Sequence, residues 1–366
     1  MSRGATRHMG ERLLSEIVTP VVAVLLALAC GGILVAALGR DPTALYALLA
    51  RETFGSWYGF GQVLFKATTL LGTGLGVAVA FRAGLFNIGA EGQLYLGGLA
   101  AAALALALPA NLPGFLMTPL VLAAAAAAGA AWGAVPGLLK ARLGVHEVIN
   151  TIMMNFIAQA FGSYVLVTHL ARFETLHTAE IPPSARLARL ELAWPGLRGA
   201  PVNVALFLEL ALCAGMFLWL WRTRWGYEVR AVGLSESAAR SAGIPVGRRM
   251  VQAMALSGAL AGITAANFVQ GYKFYFEEGF TAEAGFKGIA VALLARSHPA
   301  GLVPAALLFG ALDRGGFVIN QIVPKELVDI LQAMVLLFVI VLTQVVRRFV
   351  ARRGAARVQA RASEEV

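Results

Sequence analysis

Long apolar runs, broken by short segments that carry arginine, set the pattern of the chain. A helix needs roughly 20 apolar residues to cross the hydrocarbon layer of a bilayer. Runs of this kind lie at approximately 17–38, 58–80, 90–108, 115–138, 150–169, 201–221, 250–270, 282–295, 301–318 and 327–346. The eighth is too short for an upright crossing. Backbone polar groups in hydrocarbon must be satisfied inside the protein, which leaves helices as the solution for such runs. The pattern therefore predicts an all-α polytopic membrane protein of about ten transmembrane helices.

Polar residues inside the runs fall on faces. Gln62, Lys66, Thr69, Thr73 and Gly76 share one stripe of the second run. Thr151, Asn155, Gln159 and Ser163 recur every four residues in the fifth. Ser257, Thr264, Asn267 and Gly271 share a face of the seventh. A polar stripe against lipid is expensive, so these faces meet protein or water. Each residue alone could be a tie between helices, worth about 0.6 kcal/mol. The three stripes together favour the lining of a polar pathway. Lys66 could equally extend its stem towards the outer interface.

The stretch "GLFNIGAEGQLYLGG" (84–98) puts Asn87, Glu91 and Gln93 among Gly84, Gly89 and Gly92 at the mouth of an apolar run. Two readings stand on the residues alone. One is a cytoplasmic turn whose Glu91 sits by a positive helix N-terminus. The other is a broken helix whose irregular backbone lines a cavity. Elsewhere "AAAAAAGAAWGA" (123–134) and "GALAG" (258–262) space glycines four apart, which favours close helix packing.

Composition changes the picture in one respect: 58% of the 366 residues are apolar and 14% charged, against about 25% charged in an ordinary soluble domain. The net charge of +10 does not form a nucleic-acid face, because the basic residues sit at the ends of apolar runs. Arg3, Arg7, Arg12, Arg82, Lys140, Arg142, Arg296 and the arginines of 222–249 and of the tail all fall on one side if there are ten crossings. The positive-inside rule makes that side the cytoplasm. The expected layout is a cytoplasmic segment 1–16, a transmembrane region 17–346 and a basic cytoplasmic tail 347–366. An external loop is expected at about 170–200, and the longest cytoplasmic loop at about 222–249.

Candidate chemistry is sparse. Cys30 and Cys213 lie in apolar runs and read as small buried hydrophobes. There is no phosphate-binding G-x-x-x-x-G-K-[ST], no paired metal-ligand motif and no nucleophile elbow. Neither catalytic residues nor metal ligands are assigned, and an enzyme is not expected. Acids within the runs are few: Glu91, Glu209 and, at an edge, Glu283. That weakens the case for a proton- or sodium-coupled carrier, which keeps an acidic relay in its spans. In the long cytoplasmic loop, "GLSESAARSAGIPVGRR" predicts a short helix with Ser235 as N-cap, Gly243 as terminator and Pro245 beyond.

"FRAGLFNIGAEGQLYLGGLAAA" (81–102), "GVHEVINTIMMNFIA" (144–158), "LSESAARSAGI" (234–244) and "GFKGIAVALLARSHPAG" (285–301) together resemble the permease subunits of ABC importers. The group is the one serving branched-chain amino acids, simple sugars and nucleosides, and the likeness is greatest to the nucleoside, guanosine-type branch. The resemblance implies an ABC importer permease fold in the bacterial plasma membrane. It implies a second related permease, separate ATP-hydrolysing subunits and an external substrate-binding lipoprotein, with no cofactor on this chain. The ATPase would dock at Glu236, Ala238, Ala239 and Gly243. Glu236 lies two residues before the first alanine instead of next to it, and Lys287 stands where the family often has an acid; both roles stay open. The expected pathway residues are Thr69, Thr73, Asn87, Glu91, Gln93, Asn155, Gln159, Thr264 and Asn267. A simple-sugar permease is the alternative, and a secondary carrier or channel is more distant. A membrane enzyme or scaffold is the third class.

Overall fold

The computed structural model describes residues 19–320, 326, 327, 329–339, 341, 342 and 345. The expected cytoplasmic segment 1–16 and tail 347–366 lie outside the described residues. In chain order the helices are α1 (Thr19–Ala37), α2 (Pro42–Phe54), α3 (Trp57–Arg82), α4 (Ala90–Ala107), α5 (Gly114–Leu143), α6 (Glu147–Val165) and α7 (Ala205–Arg222). They continue with α8 (Arg224–Leu234), α9 (Glu236–Ser241), α10 (Val246–Thr264), α11 (Ala266–Val269), α12 (Ala284–Leu294) and α13 (Pro299–Ile319). A last apolar helix, α14, covers Asp329–Val339. Among the described residues β-structure is limited to isolated bridges such as Ala171 with Thr178.

The all-α polytopic class holds, and the expected count of ten crossings reaches into residues outside the described ones. Among the described residues seven helices are long and apolar enough to span a membrane: α3, α4, α5, α6 with its extension to Leu170, α7, α10 continued through α11, and α13. Of the other expected runs, 282–295 contains the shorter apolar helix Ala284–Leu294, while 17–38 and 327–346, which contain α1 and α14, extend into residues outside the described ones. Helix α2 was not expected. Its run is short and ends in Arg51 and Glu52, so it carries no membrane-length signal. Its start is nevertheless well marked: Asp41 Oδ1 accepts from the Thr43 N–H at 2.8 Å, just before Pro42 at the first helical position.

The chain divides into two compact units, one running to Arg51 and resuming at Gly315, the other Glu52–Arg314. In the first, α1 and α2 are joined by the Tyr46 hydroxyl, which donates to Leu28 O at 2.6 Å. In the same unit, a Cβ on Gly31 would lie 2.0 Å from Leu331 Cδ2 of α14.

The second unit is built around α5 against α10. A Cβ on Gly129 would fall 2.1 Å from Gly258 O, and one on Gly258 would fall 2.1 Å from Gly129 O. The two backbones are thus in mutual contact through the glycines spaced four apart in each run, as close packing in lipid requires. Tyr95, Leu99, Met117, Val121 and Phe276 form an apolar core beside this seam.

Between α3 and α4 the chain breaks for residues 83–89. The break is not a solvated turn: Leu85 and Asn87 are buried. Gly84, at φ 75°, lets the backbone reverse against Gly233, whose Cα lies 3.1 Å from where a Cβ on Gly84 would stand.

Candidate functional site

The buried break needs polar partners, and α6 and α10 supply them. Asn87 Nδ2 donates to Gln93 Oε1 (2.9 Å) and to Ser257 Oγ (2.8 Å), and its Oδ1 accepts from the Gly89 N–H (2.9 Å). The Thr151 hydroxyl accepts from the Ile88 N–H at 3.2 Å. Asn155 clamps the segment from both sides: Nδ2 donates to Ile88 O and Oδ1 accepts from the Gly92 N–H, each at 2.9 Å. The first half of the α6 stripe therefore holds the backbone of 87–92 where no helix does so.

A second knot joins α3 to α11 and the approach to α7. Asn267 Nδ2 donates to Thr69 Oγ1 (2.8 Å) and Phe65 O (3.0 Å), and its Oδ1 accepts from Asn203 Nδ2 (2.9 Å). One turn along α3, the Thr73 hydroxyl contacts Ala284 O at 3.1 Å. Thr264 donates to Leu260 O at 2.8 Å and neighbours Glu209, both being buried. Asn203 was missed in the sequence. Its signal was a cap two residues before α7, where Oδ1 accepts from the Ala205 N–H at 2.9 Å.

Glu91 does something different. Its Oε2 accepts from the Gly285 N–H at 2.7 Å, across 194 positions of sequence. Thr281 and the Glu283 backbone also hydrogen-bond this carboxylate. Helix α12 begins at Ala284, and its N-cap residue Glu283 makes no side-chain cap. The carboxylate of α4 thus caps a helix elsewhere in the chain, where unsatisfied N–H groups and a positive dipole end welcome an anion. The approach is tight enough that a Cβ on Gly285 would lie 2.3 Å from Glu91 N.

A cavity of about 320 Å³ opens at this junction. Glu91, Asn155 and Gln159 line it, with Tyr95, Phe156 and Phe286 as aromatic wall and Thr281 and Glu283 from the segment before α12. The structure therefore brings three of the nine expected pathway residues to one space. Asn87, Gln93, Thr69, Thr73, Thr264 and Asn267 do not line it and sit instead in hydrogen bonds within and between the helices. Glu283 was noted in the sequence but not as a site residue. Ala282 and Glu283 adopt left-handed φ of 45° and 64°, unusual for residues with side chains and concentrated where function holds them. No periodic pattern could announce that.

The loop 222–249 folds as expected around Ser235, whose hydroxyl accepts from the Ala238 N–H at 3.3 Å. Gly243 ends the turn at φ 77°. Glu236, Ala238 and Gly243 are exposed, whereas Ala239 is buried among Val229, Val232, Val246 and Met250. Glu228 anchors the loop by accepting from Arg224 Nε (2.8 Å) and Arg249 Nε (2.6 Å). These bonds, that of Arg224 foremost, hold its carboxyl below the usual glutamate range.

A bundle of apolar helices with a polar-floored cavity and a structured loop at one end defines a multi-pass membrane protein built for passage. Residues 59–340 match the family described as "Branched-chain amino acid transport system / permease component", and the chain belongs to that family. It is accordingly a transport permease and not an enzyme. It is 38% identical over 333 residues to the guanosine ABC transporter permease protein NupP of Bacillus subtilis, covering 89% of this chain and 93% of that one. It is 36% identical to the glucose ABC transporter permease protein TsgB13 of Haloferax volcanii, over 88% and 86% of the two chains. It is 32% identical to the nucleoside ABC transporter permease protein NupB of Lactococcus lactis, over 89% and 91%. A second guanosine permease protein of Bacillus subtilis, NupQ, is 26% identical over 68% of this chain and 78% of its own length.

Proposed function

We propose that this chain is the membrane-spanning subunit of an ATP-driven nucleoside importer in the bacterial plasma membrane, with both termini in the cytoplasm. The observation that carries the reading is the 38% identity to a guanosine permease along 93% of that protein's length. The cavity suits the reading chemically. Aromatic faces from Tyr95, Phe156 and Phe286 can receive a base, while Gln159 and Glu283 offer polar contacts. A permease needs contacts strong enough to admit a solute and weak enough to release it. Thr69 and the buried residues Asn87, Gln93, Thr73, Thr264 and Asn267 act in this reading as the frame of the pathway.

The exposed Glu236, Ala238 and Gly243 form the face offered to a partner ATPase, with Ala239 anchoring that face from beneath. ATP is used by the partner, and no cofactor is held here. Bacillus subtilis has two guanosine permease proteins similar to this chain at 38% and 26% identity, which favours a heterodimer of two related permeases. An external lipoprotein would deliver the solute. A sugar permease is the second reading, favoured by the 36% identity to a glucose permease.

The deciding experiment co-expresses the chain with a second permease, an ATPase and a binding lipoprotein from its own neighbourhood and reconstitutes them. ATP-dependent uptake of radiolabelled guanosine, and no uptake of glucose or ribose, is expected. Uptake of the sugars alone would transfer the assignment to the second reading.

A further inference from the structure

The cavity carries charge of one sign. Among its lining residues are two carboxylates, Glu91 and Glu283, and no lysine, arginine or histidine. A third carboxylate borders the same wall: Ser163, one turn beyond Gln159 on α6, donates to Glu278 at 2.6 Å. The neighbouring cations are engaged elsewhere. Lys287, next to the lining residue Phe286, pairs with Asp313, which also takes Lys66 at 3.1 Å. Lys273 pairs with Glu277 at 3.9 Å.

The carboxylates differ in what they are free to do. Glu91 is committed to the N–H groups at the start of α12. Asn155 is committed to Ile88 and Gly92. Glu283 is exposed, and the left-handed backbone at 282 and 283 sets it on the cavity wall. Among the described residues no hydrogen bond holds the Gln159 amide. An ionised carboxylate only accepts hydrogen bonds. A solute stopping beside Glu283 must therefore bring donors, such as the vicinal hydroxyls of a ribose or an exocyclic amino group. A phosphate brings acceptors and like charge, which the carboxylates of this wall repel.

Resting on the reading of this cavity as part of the solute path, we infer that it is an anion-excluding filter, with Glu283 as its specificity-determining residue. It admits uncharged nucleosides through their hydroxyl and amino donors and turns away their phosphorylated forms. The volume, about 320 Å³, is near the lower limit of ligand-sized pockets, so one small solute at a time meets this wall.

The test reads the field directly and does not require transport. In a Cys30→Ser, Cys213→Ser background, Gln159→Cys places a thiol on the wall. The assembled complex is treated with a cationic and an anionic methanethiosulfonate of similar size, with rates normalised to those of free thiol in solution. The cationic reagent is expected to react at least tenfold faster. Glu283→Gln should cut that preference severalfold, and so should raised ionic strength, which screens exposed charge. A preference near one, a preference untouched by Glu283→Gln, or no reaction with either reagent overturns the inference. Guanosine uptake without the charge preference sinks the filter and leaves the nucleoside reading standing. The preference without guanosine uptake removes that reading and keeps the filter.

Discussion

Replacing Glu91 separates a cap from a charge. The Gly285 N–H is buried and has the Glu91 carboxylate as its acceptor at 2.7 Å. Glu91→Ala removes that acceptor. Loss of a cap costs about 0.5–2 kcal/mol, and leaving a buried donor unsatisfied costs about 1–3 kcal/mol. Both figures describe the same N–H, so they overlap, and the expected loss is about 1–3 kcal/mol for the start of α12. Glu91→Gln keeps an oxygen in place and loses mainly the interaction of charge with the helix dipole, about 0.3–1 kcal/mol. Hydrogen exchange of peptides covering 284–290, measured in the assembled complex, reads these energies as local opening. Exchange should quicken by about 5- to 150-fold for the alanine and by about 2- to 5-fold for the glutamine, since 1.4 kcal/mol is a factor of ten. Uptake per assembled complex should fall in the same order. If Glu91→Ala exchanges as slowly as the wild type, the carboxylate does not hold this helix and the capping argument fails.

Other substitutions test the surrounding logic. Gly285→Ala puts a methyl 2.3 Å from Glu91 N, a backbone atom, and should destabilise by about 1–3 kcal/mol, whereas Gly215→Ala meets nothing within 4 Å and should be neutral or slightly stabilising. Heat-induced aggregation of purified protein ranks the two, and equal loss would refute the close approach. Ala238→Arg, on the exposed side of α9, should abolish permease-stimulated ATP hydrolysis in an otherwise stable chain, while Ala239→Arg should lower the yield of folded protein as well. Normal stimulation in the first would move the docking face elsewhere. Glu228 has a folded pKa below its ordinary 4.5, so its stabilisation of the loop is complete above that value and disappears as pH falls through the folded one. Hydrogen exchange of 224–249, relative to the unstructured rate, should be flat from pH 7 to about 5 and quicken below it, and Glu228→Gln should erase that acid limb.

Much of the fold was legible because membrane helices announce themselves by length and apolarity alone. Residues 58–80 and 301–318 needed nothing from the rest of the chain to be recognised, and α3 and α13 lie there. The stripes were legible as faces too. What those faces touch was not. Thr69 and Asn267 stand 198 positions apart and meet at 2.8 Å, and no periodicity in either run names the other. Glu91 and Gly285 pose the same difficulty. Residue pattern gives a side chain a direction, and only the packing of the whole bundle gives it a partner. Helix α2 escaped for another reason: with Arg51 and Glu52 at its end it has the length and charge of a connection.

The short run at 282–295 shows how these pieces depend on one another. Helix α12 has 11 residues and is about 16 Å long, well short of the roughly 30 Å hydrocarbon layer. Both ends of such a helix expose polar backbone that lipid cannot satisfy, so it persists only where protein supplies the missing contacts. Here α4 supplies the Glu91 carboxylate to its first N–H groups. From α3, Thr73 reaches Ala284 O, and a Cβ on Gly288 would stand 2.5 Å from Thr73 Oγ1. Lys287 and Lys66 share Asp313, joining α12 and α3 to α13. The charged residue at 287 and the lysine at 66, whose roles the sequence left open, are thus parts of one ion cluster that fixes the short helix. The cavity lies at the N-terminus that this bracing creates. Gly279, Thr281, Ala282 and Glu283, the residues of the interruption itself, line that space, so the break in the helix supplies one wall of the pocket.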